Sequence, residues 1–284
     1  MASRWYPLGL QSILARDANS DLVAGTVKLV LLTSAYAYNA ADQFYSDLSG
    51  AIGSQANHPV LGSKDFTGGI FDAVVPDYDG ADLDTNTATQ AVVYIDTGSP
   101  STSRLLLHLG NASVFPLTGS GPDQPIVWTP VPLCATTYVA SPANAIWYPL
   151  FAQAIFERPA DSDLVTENVY CVAVDMDDYT YSAAHDFLDD VPAGARVGTP
   201  QLIGNKTFAN GVFDSSDGGI TFPAFAGDQS EGLLIYIDDG VAEASSRLVG
   251  LLRNAQGLPV TPNGEDQPVT WGADGILKLG ASAA

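Results

Sequence analysis

The chain says the same thing twice. Trp5-Tyr6-Pro7-Leu8 returns as Trp147-Tyr148-Pro149-Leu150, and Ser20-Asp21-Leu22-Val23 as Ser162-Asp163-Leu164-Val165, both 142 residues later. "YAYNAADQF" from Tyr36 is echoed by "YTYSAAHDF" from Tyr179, a spacing of 143. "GSKDFTGGIFD" (62–72) is matched by "GNKTFANGVFD" (204–214), "VYIDTG" from Val93 by "IYIDDG" from Ile235, and "DQPIVW" from Asp123 by "DQPVTW" from Asp266. Matches that keep one order at a nearly fixed offset predict two homologous copies. Solenoid and propeller units run to about 20–50 residues and cannot close a core alone, whereas each copy here has the length of a domain. The expected organisation is a first domain over 1–136, a linker over 137–146 containing Pro142, and a second domain over 147–284.

The 284 residues are 46% hydrophobic and 15% charged, enough apolar material for two ordinary cores and too little charge for a disordered chain. No apolar run reaches the roughly 18 residues of a membrane span. The first twenty residues lack the continuous apolar stretch of a secretory signal. The expectation is a soluble protein made in a cytoplasm, without a membrane partner. Thirty-two acidic residues stand against 11 basic ones, a net charge of −21 divided as −7 over 1–136 and −14 over the remainder. Such a field repels phosphate backbones and excludes nucleic acid as a partner, while favouring solubility at high concentration.

Strand signals dominate. "TVKLVLLTS" (26–34), "AVVYID" (91–96) and "RLLLHLG" (104–110) are the clearest in the first copy, and "NVYCVAVD" (168–175), "GLLIYID" (232–238) and "RLVGLL" (247–252) are their partners. Runs apolar on both faces suit strands covered from both sides, although periodicity alone leaves a buried helix open. The predicted fold class is mainly β with short helices, in the manner of a sandwich or barrel, as two homologous tandem domains. In the echo itself, Asn39 reads as the N-cap of a short helix with Ala40, Phe44 and Leu48 facing inward, and Ser182, Ala183 and Phe187 repeat the device. "PVTWGADGILKL" reads as a terminal hairpin turning at Ala273-Asp274-Gly275. In the first copy, Pro130 and Pro132 interrupt that hairpin or move it to an edge.

Chemistry is sparse. There is no phosphate-cradling G-x-x-x-x-G-K-[ST], no G-x-S-x-G, no H-E-x-x-H and no C-x-x-C. His58, His108 and His185 are scattered, none opposite a histidine of the other copy, and read as loop or solvent histidines. Cys134 and Cys171 face leucines in the alignment, Leu277 and Leu29, and read as small buried hydrophobes. Asp77, Asp79, Asp82 and Asp84 around Gly80 offer the hard oxygens of a calcium loop, but the spacing is not that of an EF-hand and the second copy has nothing similar, so a solvated acidic turn is the stronger reading. Asp186, Asp189 and Asp190 read as a solvated helical face. Trp5 with Trp128, and Trp147 with Trp271, read as an aromatic pair fixing each core, with an exposed carbohydrate platform as the alternative. No catalytic, cofactor-binding or metal residue is assigned, and no cofactor is expected. The carboxylates leave a glycan hydrolase open only through a spacing across a cleft that sequence does not give.

The second copy resembles a family of small proteins found among bacteriophage structural genes. The likeness is carried by "AAHDFLDDVPAGARV" from Ala183, "LLIYIDDG" from Leu233, "SSRLVGLL" from Ser245 and "GLPVTPNGEDQPVTWGADGILKL" from Gly257, and it covers nearly all of 147–280. The first copy is more distant, keeping "NAADQFYSD" and "AVVYIDTG". The resemblance implies a virion structural protein, mainly β and without an active site. The expectation is a non-enzymatic capsid decoration, or cement, protein on the outer surface of the virion. It would bind the major capsid protein and form a homo-oligomer such as a trimer. A tail, baseplate or fibre-adaptor component, and a host-surface module that binds glycan, are the alternatives.

Overall fold

The computed structural model of the protein describes residues 3–53, 58–75, 83, 86–110, 115–119, 131–132, 145–209, 211–253 and 257–278. The chain divides into two compact units, one running to Leu133 and one starting at Cys134. Both are mainly β.

In the first unit the elements are β1 (Arg4–Trp5), α1 (Pro7–Leu14), β2 (Val27–Leu32), β3 (Gly62–Asp65), β4 (Ile70–Val74), β5 (Thr87–Ala88), β6 (Gln90–Ile95), β7 (Arg104–Leu109), β8 (Leu117–Thr118) and β9 (Val131–Pro132). An antiparallel sheet in the order β1-β7-β6-β2 holds the long aliphatic strands, with β3-β4-β9 and β5-β8 as smaller sheets. Every residue of β6 is buried, and all but Lys28 of β2. That is the two-sided covering expected of runs without polar alternation. Among the described residues, the outer side of β2 meets the segments around Ile52 and Val60 through the isolated bridges Lys28 to Val60 and Leu32 to Ile52, without a continuous strand.

The second unit contains β10 (Ala145–Trp147), α2 (Pro149–Glu157), β11 (Asn168–Val174), β12 (Arg196–Leu202), β13 (Lys206–Ala209), β14 (Val212–Ser215), β15 (Gly219–Phe222), β16 (Gly232–Asp238), β17 (Arg247–Arg253), β18 (Gln267–Thr270) and β19 (Leu277–Lys278). Its main sheet runs β10-β17-β16-β11-β12, with β13-β14-β19 and β15-β18 beside it. A register shift between Val93 and Tyr94 of β6 is matched by one between Ile235 and Tyr236 of β16. Where the first unit has two bridges, the second has a full strand, β12.

Several local expectations are corrected. The segments after each Trp-Tyr form α-helices that the strand-dominated reading does not anticipate. Pro7 and Pro149 stand in the first turn, where a missing N–H costs nothing, and leucine, isoleucine and phenylalanine face the sheet. Gly9 is required there, because a Cβ would lie 2.3 Å from the Leu105 carbonyl oxygen. The helices expected to start at Asn39 and Ser182 start later and are 3-10 turns, Tyr45–Leu48 and Leu188–Asp190. Asn39 accepts from the Ala41 N–H in a local turn, while Ala40 and Ala183 are exposed. The turn at Gly272–Gly275 closes through the Gly275 N–H, but its two sides do not pair. Strand β18 joins β15 and β19 joins β14, so the segment is a crossover between sheets and not a hairpin. A further glycine matters here: Gly275 has φ +81° and a Cβ on it would meet Val212 at 2.3 Å.

Candidate functional site

The echo at Tyr36 and Tyr179 builds the same object in each unit. In the first, the Tyr6 hydroxyl, just before α1, meets the Tyr36 hydroxyl at 2.7 Å. Tyr36 in turn donates to Asp42 Oδ2 at 2.7 Å, so the carboxylate fixes the direction of the chain and Tyr6 donates to Tyr36. In the second, Tyr148 and Tyr179 meet at 2.7 Å and Tyr179 meets His185 Nδ1 at 2.9 Å. Tyr6 and Tyr148 are fully buried. Burial pushes both phenols far above the ordinary tyrosine value, with the neighbouring tyrosine adding to the effect. Phenols held so firmly in the neutral form serve as hydrogen-bonding struts and not as bases.

The 3-10 turn that follows is pinned identically. Asp47 Oδ2 accepts from the Gln43 and Phe44 N–H groups, each at 2.8 Å. Asp190 Oδ2 accepts from the Asp186 and Phe187 N–H groups at 2.7 and 3.2 Å. An arginine closes each turn from the long strand beside it. Arg104 lies over the Phe44 ring at 5.1 Å and 3.5 Å from Asp17, whereas Arg247 lies over Phe187 at 4.7 Å and pairs with both Asp161 at 2.8 Å and Asp186 at 2.5 Å. The solvated helical face expected at Asp186 is therefore wrong. Asp186 is half-buried and ion-paired, and burial, opposed by Arg247, holds its carboxyl above the usual range. Asp189 alone of the three is exposed without such a role among the described bonds.

His58 and His185 lie in loops as expected, each half-buried, whereas His108 departs from expectation. His108 sits in β7, fully buried, with Nε2 2.7 Å from Gln90 Oε1. The amide of Gln90 donates to the carbonyls of Thr33 and Tyr36, so its oxygen is free to accept and His108 carries its proton on Nε2. Nδ1 has no partner among the described residues. Burial, reinforced by the Arg4 charge, lowers the imidazole from 6.5 to about 4. Arg4 lies over the Tyr38 ring at 4.5 Å. His58 is half-buried against Tyr94, its Nδ1 2.6 Å from the hydroxyl. The three histidines thus have three different partners and make no common centre.

Cys171 is free and fully buried in β11, its thiol pushed well up by desolvation, as a small hydrophobe would be. Cys134, Trp128 and the Asp77, Asp79, Asp82 and Asp84 carboxylates lie outside the described residues. Trp5 and Trp147 are buried, the latter stacked on Phe151 and donating from Nε1 to the Lys278 carbonyl at 3.0 Å. Trp271 is half-buried, so it is neither a fully enclosed core residue nor an open platform.

Two features were not anticipated. A half-open cavity of about 360 Å³ in the second unit is lined by Met176, Tyr179, Thr180, Tyr181, Glu231 and Arg253. It lies where β16 begins with Gly232, the position occupied by Gln90 in the first unit. Asp175, Asp178 and Asp228 place carboxylate oxygens within 4.8 Å of one another, with Asp178 and Asp228 exposed and Asp175 already accepting from the Asp177 N–H. The glycine opposite a glutamine is visible in the aligned sequence, but Asp228 is too far along the chain for its approach to Asp175 to be read there. Among the described residues no helix is long and apolar enough to cross a membrane.

Comparison with known proteins finds no family model that matches the chain and no curated protein that resembles it.

Proposed function

We propose that the protein is a non-enzymatic structural component of a bacteriophage particle, a decoration protein that binds the outer face of the shell and strengthens contacts between its subunits. The observation that carries this reading is where the repeated polar groups go. The Tyr6-Tyr36-Asp42 and Tyr148-Tyr179-His185 chains and the Asp47 and Asp190 caps are all used inside their own unit, to fix the turn after the first long strand. What the two units share is a rigid scaffold, and the surface is left to act. The resemblance read from the sequence over nearly all of 147–280, and the net charge of −21, fit the same reading. An acidic surface stays soluble at the hundreds of copies a shell needs and does not compete for the genome.

Tracing and counting the chain in a cryo-electron microscopy reconstruction of the intact particle tests this. Regular density over the shell is expected. Density in the tail alone would replace decoration with an adaptor role. The cavity beside Tyr181 and Arg253 favours one other reading, a module that takes a small ligand from a host surface. Binding of the purified chain to host cells, lost on Arg253→Ala, would favour it.

A further inference from the structure

Four exposed apolar side chains among the described residues fall into two pairs. Val23 and Val60 are each 50% exposed, and Val165 and Leu202 are 37% and 50% exposed. Val165 follows Val23 by 142 residues, and Leu202 follows Val60 by the same number. Single exposed hydrophobes are ordinary. A matched pair is not, because the other exposed apolar residues have no equally exposed apolar counterpart: Val74, 60% exposed, stands opposite Ser216, Val241, 83% exposed, opposite Ser99, and Ile70, 38% exposed, opposite the half-buried Val212.

The setting of each pair is also the same. The Asp21 carboxylate accepts from the Val23 and Ala24 N–H groups at 2.8 and 2.9 Å, and Asp163 from those of Val165 and Thr166 at 2.9 and 3.1 Å. Each Asp thereby holds its valine out on a turn. Val60 bridges to Lys28 at the start of β2, and Leu202 pairs with Tyr170 of β11. A lysine ties the two parts into one corner. Lys64 donates to the carbonyls of Val23 and Gly25 at 2.8 and 3.0 Å, and Lys206 donates to the carbonyl of Glu167. Each ammonium keeps its charge and faces carboxylates, Lys64 beside Asp21 and Lys206 beside Asp163 and Glu167, within units that are strongly acidic as a whole.

We infer that these two corners are one docking surface used twice, each receiving an apolar patch rimmed by basic groups on a copy of the subunit that builds the shell. The inference rests on the decoration reading. Charge selects the occupant: units of −7 and −14 disfavour a further copy of this chain at these corners, whereas a basic-rimmed patch complements the field around them. Two equal corners need a partner that presents equal sites repeatedly, which a shell does. Joining them in one chain makes the second contact intramolecular, so avidity exceeds the affinity of either corner.

The test uses the full chain and shells prepared without it. Val23→Asp with Val60→Asp disables one corner, Val165→Asp with Leu202→Asp the other, and all four together disable both. The corresponding serine variants serve where an aspartate set does not melt cooperatively. Wild-type protein is expected to bind shells in a salt-sensitive manner, either two-site variant at least tenfold more weakly, and the four-site variant at background. A folded four-site variant that binds like wild type overturns the inference and leaves the decoration reading standing. Wild-type protein that does not bind shells overturns the decoration reading, and the inference with it. Self-association in sedimentation, abolished in the four-site variant, would identify a second copy of this chain as the occupant and overturn the one inferred here.

Discussion

Beneath its tyrosine pair the first unit carries a buried polar network, and the second has a half-open cavity with Glu231 and Arg253 in its wall. Arg4, Gln90 and His108 meet there in the first unit, and the matching positions of the second are Ile146, Gly232 and Leu251. The strands, the register shift and the tyrosines are alike. One backbone therefore accepts two interiors, provided each is internally consistent: a buried imidazole needs the Gln90 oxygen, and the Gln90 amide needs the Thr33 and Tyr36 carbonyls. Replacing one member leaves the others unpaired, whereas the second unit replaces all three with residues whose side chains need no hydrogen-bond partner. The anchor of the tyrosine pair differs too, since the Asp42 carboxylate only accepts whereas Nδ1 of His185 accepts or donates according to the tautomer.

Acid should separate the units most. His108 has a folded value of about 4 against 6.5 for a free imidazole. Its neutral form is the one that folds, so its contribution is complete above about pH 6.5 and is lost as the pH falls towards 4. The first unit should lose up to about 3 kcal/mol across that window, at 1.36 kcal/mol per unit of pKa difference. Urea unfolding at pH 7 and pH 4 with probes in each unit checks this, and a first unit as acid-resistant in wild type as in His108→Leu would remove the distinction. Arg247→Ala comes next. It strips the partner from Asp161 and Asp186 at once and should destabilise the second unit by about 2–3 kcal/mol, against under about 1 kcal/mol for Arg104→Ala, whose single contact with Asp17 is longer and more exposed. Thermal melts of both variants decide it, and equal losses would show that the second carboxylate adds nothing.

Smaller effects test the anchors. Tyr6→Phe and Tyr148→Phe each remove one buried hydroxyl bond and should cost about 1–2 kcal/mol. Next, and equal in both units, is the loss of the turn caps. Asp47→Ala and Asp190→Ala each free two N–H groups and should cost about 1 kcal/mol. Unequal costs would mean that the shared geometry hides an unequal load. Smallest of all, the exchange His185→Asp should give the second unit the carboxylate-anchored pair of the first, with Tyr179 as donor, and should change its stability by under about 1 kcal/mol in thermal melts. A larger loss would show that the packing of the imidazole against Tyr179 matters more than its hydrogen bond.

How far the sequence reveals this differs by element. The long strands are legible because Val, Leu and Ile run without interruption between Gly, Asp and Pro, and burial on both faces leaves no polar alternation to confuse the pattern. Helices α1 and α2 escape notice because eight or nine residues rich in aromatic and aliphatic side chains resemble a strand. The sign to use was Pro7 and Pro149, each one residue after a tyrosine. The crossover at Gly272–Gly275 reads as a hairpin because turn chemistry fixes the reversal of the chain but not the strand it joins next. His108 reads as a stray polar residue because its partner Gln90 is 18 positions away, and Asp186 as solvated because Arg247 is 61 away. The repeated tyrosines are plain in the sequence. That their hydroxyls bond to each other becomes plain only once α1 and the turn are placed.

Cys171 gives the second unit a built-in clock. Its sulfur lies in the middle of β11, flanked by β16 and β12, and shows no exposed surface. A thiol reagent reaches it only when those neighbours part, and the reactive thiolate forms only after the strand is wetted. With Cys134 changed to alanine, the rate of labelling would report how often the five-stranded sheet opens in otherwise folded protein.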